Sequence, residues 1–393
     1  MTAEIGALQR NTARPPIVLT ANSSWNIVNF RSGLIDALEA TGHKVEVLAP
    51  LDDHTQNLVQ RGIPLSSLRI DNKGLSPLRD GRLFLDYRRE LRRIGPAALL
   101  SFTIKPNIYG SLAAASLGIP VINNISGLGT AFLRGGWLER LVGRLYRAAL
   151  RRSATVFFQN ADDKALFEQR GLVRPDQARL INGSGVDLDA FAPRPSAPPG
   201  AGSAPTFLLI ARMLWDKGIG EYVAAARIVR ARLPAARFQL LGPLGADNRS
   251  AVPRAEVDAW VAEGVVDYLG EQTDVRPFLA AADCVVLPSY REGLPRTLIE
   301  AAAMGRPAIA TDVPGCRAAV DDGVSGLLCA PRSADALAQT MLRFAALDPS
   351  AREKMARAAR QKAVGSFDQR AVAAAYLAAL DRAGVSPCAA GQD

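Results

Sequence analysis

The stretch Pro288-Ser-Tyr-Arg-Glu292-Gly-Leu-Pro-Arg-Thr-Leu-Ile-Glu300-Ala-Ala-Ala-Met-Gly-Arg-Pro307 decides how the chain is read. The apolar run before it, Cys284-Val-Val-Leu287, reads as a buried strand that Pro288 and Ser289 end. Gly293 and Pro295 interrupt the backbone, a helix restarts over 296–304, and Gly305 and Pro307 close it. A strand, a tight loop and a helix follow, with the helix's first N–H groups turned toward the loop. Such a helix start attracts a phosphate. Glu292 and Glu300 bracket it, and neither has an obvious partner nearby in sequence. Two acceptor-only groups beside an anion site suit a ligand with hydroxyls at one end and phosphates in the middle, as in a nucleotide sugar. The competing reading is a strand, a turn and a helix with two solvated glutamates.

The rest of the chain has room for that site. Its 393 residues suffice for two domains with full cores, and 48% hydrophobic and 22% charged residues describe an ordinary globular composition. No run approaches the roughly 18 apolar residues of a spanning helix, and the polar start over 1–14 lacks a signal-peptide core. The four cysteines form no close pair, and His43 and His54 stand far from any cysteine or carboxylate cluster, so neither disulfides nor a metal site is expected. The net charge of +9, mostly arginine, points to an anionic partner such as a phosphorylated ligand, a lipid surface or nucleic acid, or to compositional bias alone.

Upstream, strands and helices alternate. Strands are expected over 17–19, 44–48, 64–70, 97–102, 120–123 and 155–158, with one more within 173–187. Helices are expected over 27–40, 78–94, 107–117 and 138–151. A Pro/Gly/Ser/Ala linker over 193–205 is the best boundary. The second series has strands over 206–210, 237–241, 265–268, 284–287, 308–310 and 326–329, and helices over 218–231, 254–262, 275–280, 334–347, 350–364 and 368–383; 385–393 reads as disordered. Such alternation means two doubly wound parallel sheets with right-handed crossovers, whose ligands bind outside the carboxyl ends of the strands. A nicotinamide enzyme would share the alternation, but Thr20-Ala-Asn-Ser-Ser-Trp25 stands where its glycine fingerprint belongs, and no Walker A loop is present.

Further residues carry chemistry. In Ile210-Ala-Arg212-Met-Leu-Trp-Asp-Lys217-Gly218, two cations leave a strand beside a helix start, a pattern able to neutralise a diphosphate without a metal or cofactor. Leu244 and Leu269 follow strands nearby and are candidates for a base pocket. In the first half, Lys105 and Asn107 at one strand end, and Asn124 and Ser126 at the next, are candidate acceptor contacts. Asp187 and Asp189 precede the linker and read as turn residues. Arg140, Arg144, Arg147 and Arg151 form one stripe of a helix, and 79–93 is a second arginine-rich segment. Both are either solvated faces or contacts for anionic lipid.

Glu292 and Glu300, separated by seven residues and followed by Ala-x-x-x-Gly-x-Pro, resemble the pattern of group 1 (family 4) retaining glycosyltransferases of GT-B fold. The likeness runs along nearly the whole chain. It implies an acceptor domain over 1–191, a linker over 192–205, a nucleotide-sugar domain over 206–365 and a last helix over 366–385 that crosses back to the first domain. It further implies Arg212 and Lys217 on the donor phosphates, Glu300 on the ribose and Glu292 on the transferred sugar. Gly293 and the N–H groups of Leu294, Arg296 and Thr297 would lie along the phosphates; Pro295 has none to offer. Glu292, Arg212 and Lys217 would carry catalysis, with no cofactor, no metal and no nucleic acid. Most of all, 101–107, 127–130 and 210–218 resemble bacterial transferases that extend undecaprenyl-diphosphate-linked sugars, which implies a lipid-linked acceptor and a cytoplasmic enzyme lying on an anionic membrane face. The chain departs from the family where 21–26 lacks paired glycines and where Asn124 and Ser126 stand in place of His or Glu. An epimerase or hydrolase of UDP-N-acetylglucosamine, or a binding module without activity, are the competing functions.

Overall fold

The computed structural model describes residues 15–71, 76–127, 136–193, 204–245, 248 and 250–385. Strands β1 (Ile17–Thr20), β2 (Val45–Ala49), β3 (Leu65–Ser67), β4 (Ala98–Phe102), β5 (Val121–Ile125), β6 (Thr155–Phe158) and β7 (Ala178–Leu180) form a parallel sheet in the order β3-β2-β1-β4-β5-β6-β7. Strands β8 (Thr206–Ile210), β9 (Arg237–Leu241), β10 (Asp267–Tyr268), β11 (Cys284–Leu287), β12 (Ala308–Thr311) and β13 (Gly326–Cys329) form the other, in the order β10-β9-β8-β11-β12-β13.

Both sheets are covered on two faces, which is why their strands read as unbroken apolar runs. In β1, Val18 joins one core with Leu99 and Val156, while its neighbours Ile17 and Leu19 join the opposite core with Leu100 and Phe157. The strand order reverses between β1 and β4 in one sheet and between β8 and β11 in the other. Loops leaving these strands part to opposite faces, so a crevice opens at each reversal.

The helices depart from expectation in several places. The first begins at Ser24, three residues early, because Ser23 caps it by accepting from Asn26 N–H. The segment 107–117 is a π-helical turn, Pro106–Gly110, followed by a short helix, Ser111–Ser116. Helices Thr55–Gln60, Ala161–Gln169 and Pro314–Ala319 were not expected. Residues 194–203 of the linker and 386–393 of the tail lie outside the described residues, as do 128–130.

The last helix, Gln369–Arg382, packs on the first sheet. Val372, Tyr376 and Leu380 join the core made by Ile27, Leu34 and Ile35 of helix Ser24–Ala40. Its entry is pinned by Val186 N–H to Phe367 O at 2.7 Å and Gln369 N–H to Val186 O at 3.1 Å. Glycine is required there: a Cβ on Gly185 would stand 2.5 Å from Gln369 Cα, at a φ of +68°. Tyr376, fully buried, stacks obliquely on Phe157 and Phe102 and receives a hydrogen bond from Asn124 Nδ2 at 2.7 Å. Tyr376→Ala is expected to cost about 3–5 kcal/mol of unfolding free energy, read from urea denaturation; a loss below about 1 kcal/mol would mean that the helix is not part of this core.

Candidate functional site

The loops after β8 and β11 meet at the second sheet's reversal and are built into each other. Gly218, at φ +73°, lies so close to Pro288 that a Cβ would stand 2.2 Å from its carbonyl oxygen. Tyr290 N–H donates to Asp216 O at 3.0 Å, and Tyr290 OH to Glu221 at 2.7 Å. The interlock brings Lys217 Nζ to 2.5 Å from Glu292 Oε1, with both side chains largely buried. Arg212 stands exposed at the end of β8, and among the described residues no ion pair holds it.

Helix Arg296–Ala303 starts at Pro295, and its first N–H groups have no intrahelical acceptor. Glu300 lies one turn in and is 9% exposed. Arg296 Nε reaches its carboxylate at 2.5 Å. Burial raises the Glu300 carboxyl above its ordinary range, and the Arg296 charge and hydrogen bond pull it back only in part. The expectation that neither glutamate has a partner is therefore corrected: each holds a cation, one from the loop after β8 and one from its own helix. Thr297 Oγ1 donates to Ile210 O at 3.1 Å, which ties the helix start to β8. Leu294 is nearly buried, while Leu244 and Leu269 are half-buried at the ends of β9 and β10.

Across the crevice the first sheet offers its own reversal. Thr103, just past β4, adopts the left-handed conformation (φ 65°), which is strained for a β-branched residue, and its Oγ1 accepts from Asn22 N–H in the loop after β1. Three expected acceptor contacts are placed differently from expectation. Lys105 is paired with Asp80 at 2.7 Å, both side chains nearly buried, at the first turn of helix Pro77–Ile94. Asn107 and Asn124 are interior: Asn107 bonds Asn123 and the Asn124 carbonyl, and Asn124 joins Gln159 to Tyr376. Buried amides must find such partners, so a residue on a strand end can face the core as readily as the cleft. Ser126 is partly exposed, and its carbonyl faces the opposite loop: a Cβ on Gly293 would lie 2.1 Å from it. Asp187 accepts from Asp189 and Ala190 N–H, a self-closed turn.

Asn29, Asn160, Asp163 and Arg291, which sequence reasoning missed, join the two lobes. Arg291 pairs with Asp163, Asn160 Nδ2 donates to Gly293 O at 2.8 Å, and Arg296 Nη1 donates to Asn29 O. The available clue was Asn160 after β6, a standard helix N-cap whose side chain accepts from Asp163 N–H.

Known proteins resemble the chain in sequence and in fold. The family model for glycosyl transferases group 1 matches residues 204–346, and that of the glycosyl transferase 4-like domain matches 27–183. The chain thus carries a glycosyl transferase 4-like domain followed by a group 1 glycosyl transferase domain. It is 28% identical over 376 residues to the N,N'-diacetylbacillosaminyl-diphospho-undecaprenol alpha-1,3-N-acetylgalactosaminyltransferase of Campylobacter jejuni, covering 92% of this chain and 97% of the relative. A D-inositol 3-phosphate glycosyltransferase of Pseudarthrobacter chlorophenolicus is 35% identical over 212 residues, half of each chain. Among solved structures, Anabaena HepE in complex with UDP and glucose superposes with a TM-score of 0.76 at 20% identity, covering 94% of this chain and all of that one. The fold is GT-B, and the protein is a glycosyltransferase.

Burial of Glu300 has a measurable consequence. The folded chain holds the Glu300 proton more tightly than the unfolded chain, so its ionised form lowers stability once pH exceeds the unfolded value of about 4.3. Glu300→Gln is therefore expected to melt higher than wild type at pH 7, with the difference shrinking as pH falls toward about 4.3. Scanning calorimetry at both pH values checks this; a variant that melts lower at pH 7 would contradict it.

Proposed function

We propose that this enzyme moves an N-acetylhexosamine or hexose from a UDP-linked donor to a lipid-diphosphate-linked sugar, with retention of anomeric configuration and without a metal. The observation that carries this reading is the convergence of Arg212, Lys217, Glu292 and the start of helix Arg296–Ala303 at one sheet reversal, opposite the other lobe. The lobe over 1–191 would bind the acceptor and that over 206–365 the donor. The acceptor class follows the Campylobacter relative, whose name gives an undecaprenol-diphosphate-linked sugar as its substrate, and the nucleotide follows the UDP held by the Anabaena neighbour.

On this reading the donor diphosphate lies against Arg212, Lys217 and the N–H groups of 294–297, with Glu300 accepting from the ribose and Glu292 from the sugar. Leu244 and Leu269 flank the base. The bond from the anomeric carbon to the diphosphate oxygen breaks while the acceptor hydroxyl attacks from the same face. Its proton passes to the departing phosphate oxygen, and the cations and helix start stabilise the charge that develops. Glu292 acts by holding the sugar in line. The charge that a metal would supply comes from side chains. Glu292→Gln and Lys217→Ala are each expected to lower kcat at least tenfold with the fold intact, and a chelator to leave the wild-type rate unchanged. Proton NMR of the product from an α-linked donor should show an α-linkage; a β-linked product would overturn the retaining assignment.

A membrane contact completes the reading. Helices Pro77–Ile94 and Gly136–Leu150 lie in one layer of the first lobe, on either side of Ser111–Ser116. The outer face of the first exposes Leu78 (89%) and Leu85 (61%) beside Arg82, Arg89 and Arg92, and the second exposes Arg140, Leu141 and Arg144. Exposed leucines among arginines suit a surface of anionic headgroups above acyl chains, where each basic residue contributes about 1 kcal/mol. Part of the charge is committed within the protein: Arg147 donates to the carbonyls of Arg170 and Gly171, and Arg93 pairs with Glu90. Arg82→Glu with Arg92→Glu should weaken flotation with phosphatidylglycerol vesicles while UDP binding stays unchanged. Equal flotation of variant and wild type at low salt would remove these helices from the contact.

A further inference from the structure

The loop that carries Glu292 is gripped from the opposite lobe at the residues on either side of that glutamate. Before it, Arg291 pairs through Nη2 with Asp163, whose side chain is 1% exposed. After it, Gly293 O accepts from Asn160 Nδ2 at 2.8 Å. Asn160 and Asp163 are themselves locked together: Asn160 Oδ1 accepts from Asp163 N–H at 2.8 Å, and Asn160 Nδ2 also reaches Asp163 Oδ2 at 3.0 Å. Both stand at the start of helix Ala161–Gln169, immediately after β6. The same loop is walled on two sides by backbone. A Cβ on Gly293 would lie 2.1 Å from Ser126 O and 3.0 Å from Gln159 Oε1, and a Cβ on Gly315 would lie 2.3 Å from Gly293 O and 2.6 Å from Glu292 O.

A contact that merely glued the lobes together could sit anywhere on their interface, as the exposed Arg317–Asp162 pair does. This one is buried and falls on the two peptide neighbours of a single functional side chain. We propose that Asp163 and Asn160 are positioning residues for glycosyl transfer: from the acceptor lobe they fix the backbone that aims Glu292 at the transferred sugar. The sugar end of the donor site is then complete only when the lobes are together, whereas Arg212, Lys217 and Glu300 of the nucleotide end all come from one lobe, which the other reaches there only through Arg296, the partner of Glu300, at Asn29 O. This deepens the proposed function and rests on Glu292 holding the sugar.

The separation predicts a split that general destabilisation would not give. Full-length Asp163→Asn and Asn160→Ala are compared with wild type by calorimetric binding of UDP and of UDP-N-acetylgalactosamine, by kcat and KM on the lipid-linked acceptor, and by hydrogen exchange over 289–297. Expected are UDP affinity within about twofold of wild type, a kcat at least tenfold lower, loss of most of the affinity that the sugar adds to UDP, and faster exchange of the loop amides. The exchange readout does not depend on which sugar the enzyme uses. Wild-type exchange and wild-type kcat in both variants would overturn the proposal, as would an equal loss of UDP and UDP-sugar affinity. Glu292→Gln separates the two failures: if it too has wild-type kcat, the role of Glu292 is wrong. If it is impaired while the Asp163 and Asn160 variants are not, only the cross-lobe positioning is wrong.

Discussion

Two backbones from different lobes touch at Gly293, and most of the site's geometry depends on that contact. The carbonyl of Ser126, past the end of β5, occupies the space that any side chain at 293 would need. On the other side of the loop, Gly315 lets the start of helix Pro314–Ala319 press against the carbonyls of 292 and 293. A loop confined in this way has few conformations to lose when a ligand arrives, and rigid placement is what a site that works by orientation requires. The confinement holds only while the lobes stay in register. Part of that register comes from the last helix, whose apolar face is buried in the first lobe's core while its entry pairs with Val186.

Charge pairing explains how acidic residues can be held ready in a partly buried crevice. An isolated carboxylate taken out of water would take up a proton, whereas one with a close cation stays ionised and keeps its remaining lone pairs available. Lys217 pairs with Glu292, and because it comes from the loop after β8 it also joins the two halves of the site. Arg296 pairs with Glu300, but burial outweighs the pair and leaves that carboxyl raised. A ribose hydroxyl donating to Glu300 would supply the hydrogen bond that the ionised form lacks. Burial of Glu300 thus leaves the site a modest instability that binding of the proposed donor would relieve.

What was legible in the sequence follows from what is local. Alternating strands and helices gave both sheets, and the strand–Gly–Pro–helix pattern around 288–307 placed the glutamates, because periodicity and backbone breakers act within a few residues. The partners of those glutamates were not legible. Lys217 lies 75 positions from Glu292, and Asp80 lies 25 from Lys105. Such pairings are set by how loops from different strands meet. Asn107 and Asn124 misled for a related reason: a polar residue at a strand end signals a cleft only if nothing inside needs an amide. Here Asn123, Ser111 and Ser153 make the interior polar, so the asparagines turn inward. Helix Ala161–Gln169 was missed despite its Asn cap, and with it the contact between Asp163 and the loop bearing Glu292.

That buried amide network bears on why the two lobes can act as one device. It runs from Tyr376 through Asn124 to Gln159, and Gln159 in turn packs against the Gly293 loop. Satisfied polar networks in a low-dielectric interior are stiff, because moving one member leaves another unpaired. The returning helix, the tips of β5 and β6 and the loop bearing Glu292 are consequently held by a continuous set of directional contacts, where an apolar packing surface would tolerate sliding. A displacement of the first lobe by even an ångström must then either carry the loop with it or break the Asn160 hydrogen bond to Gly293 O and the Asp163–Arg291 pair. If the two substrates enter from opposite lobes, as proposed, this stiffness ties the presence of one binding surface to the geometry of the other.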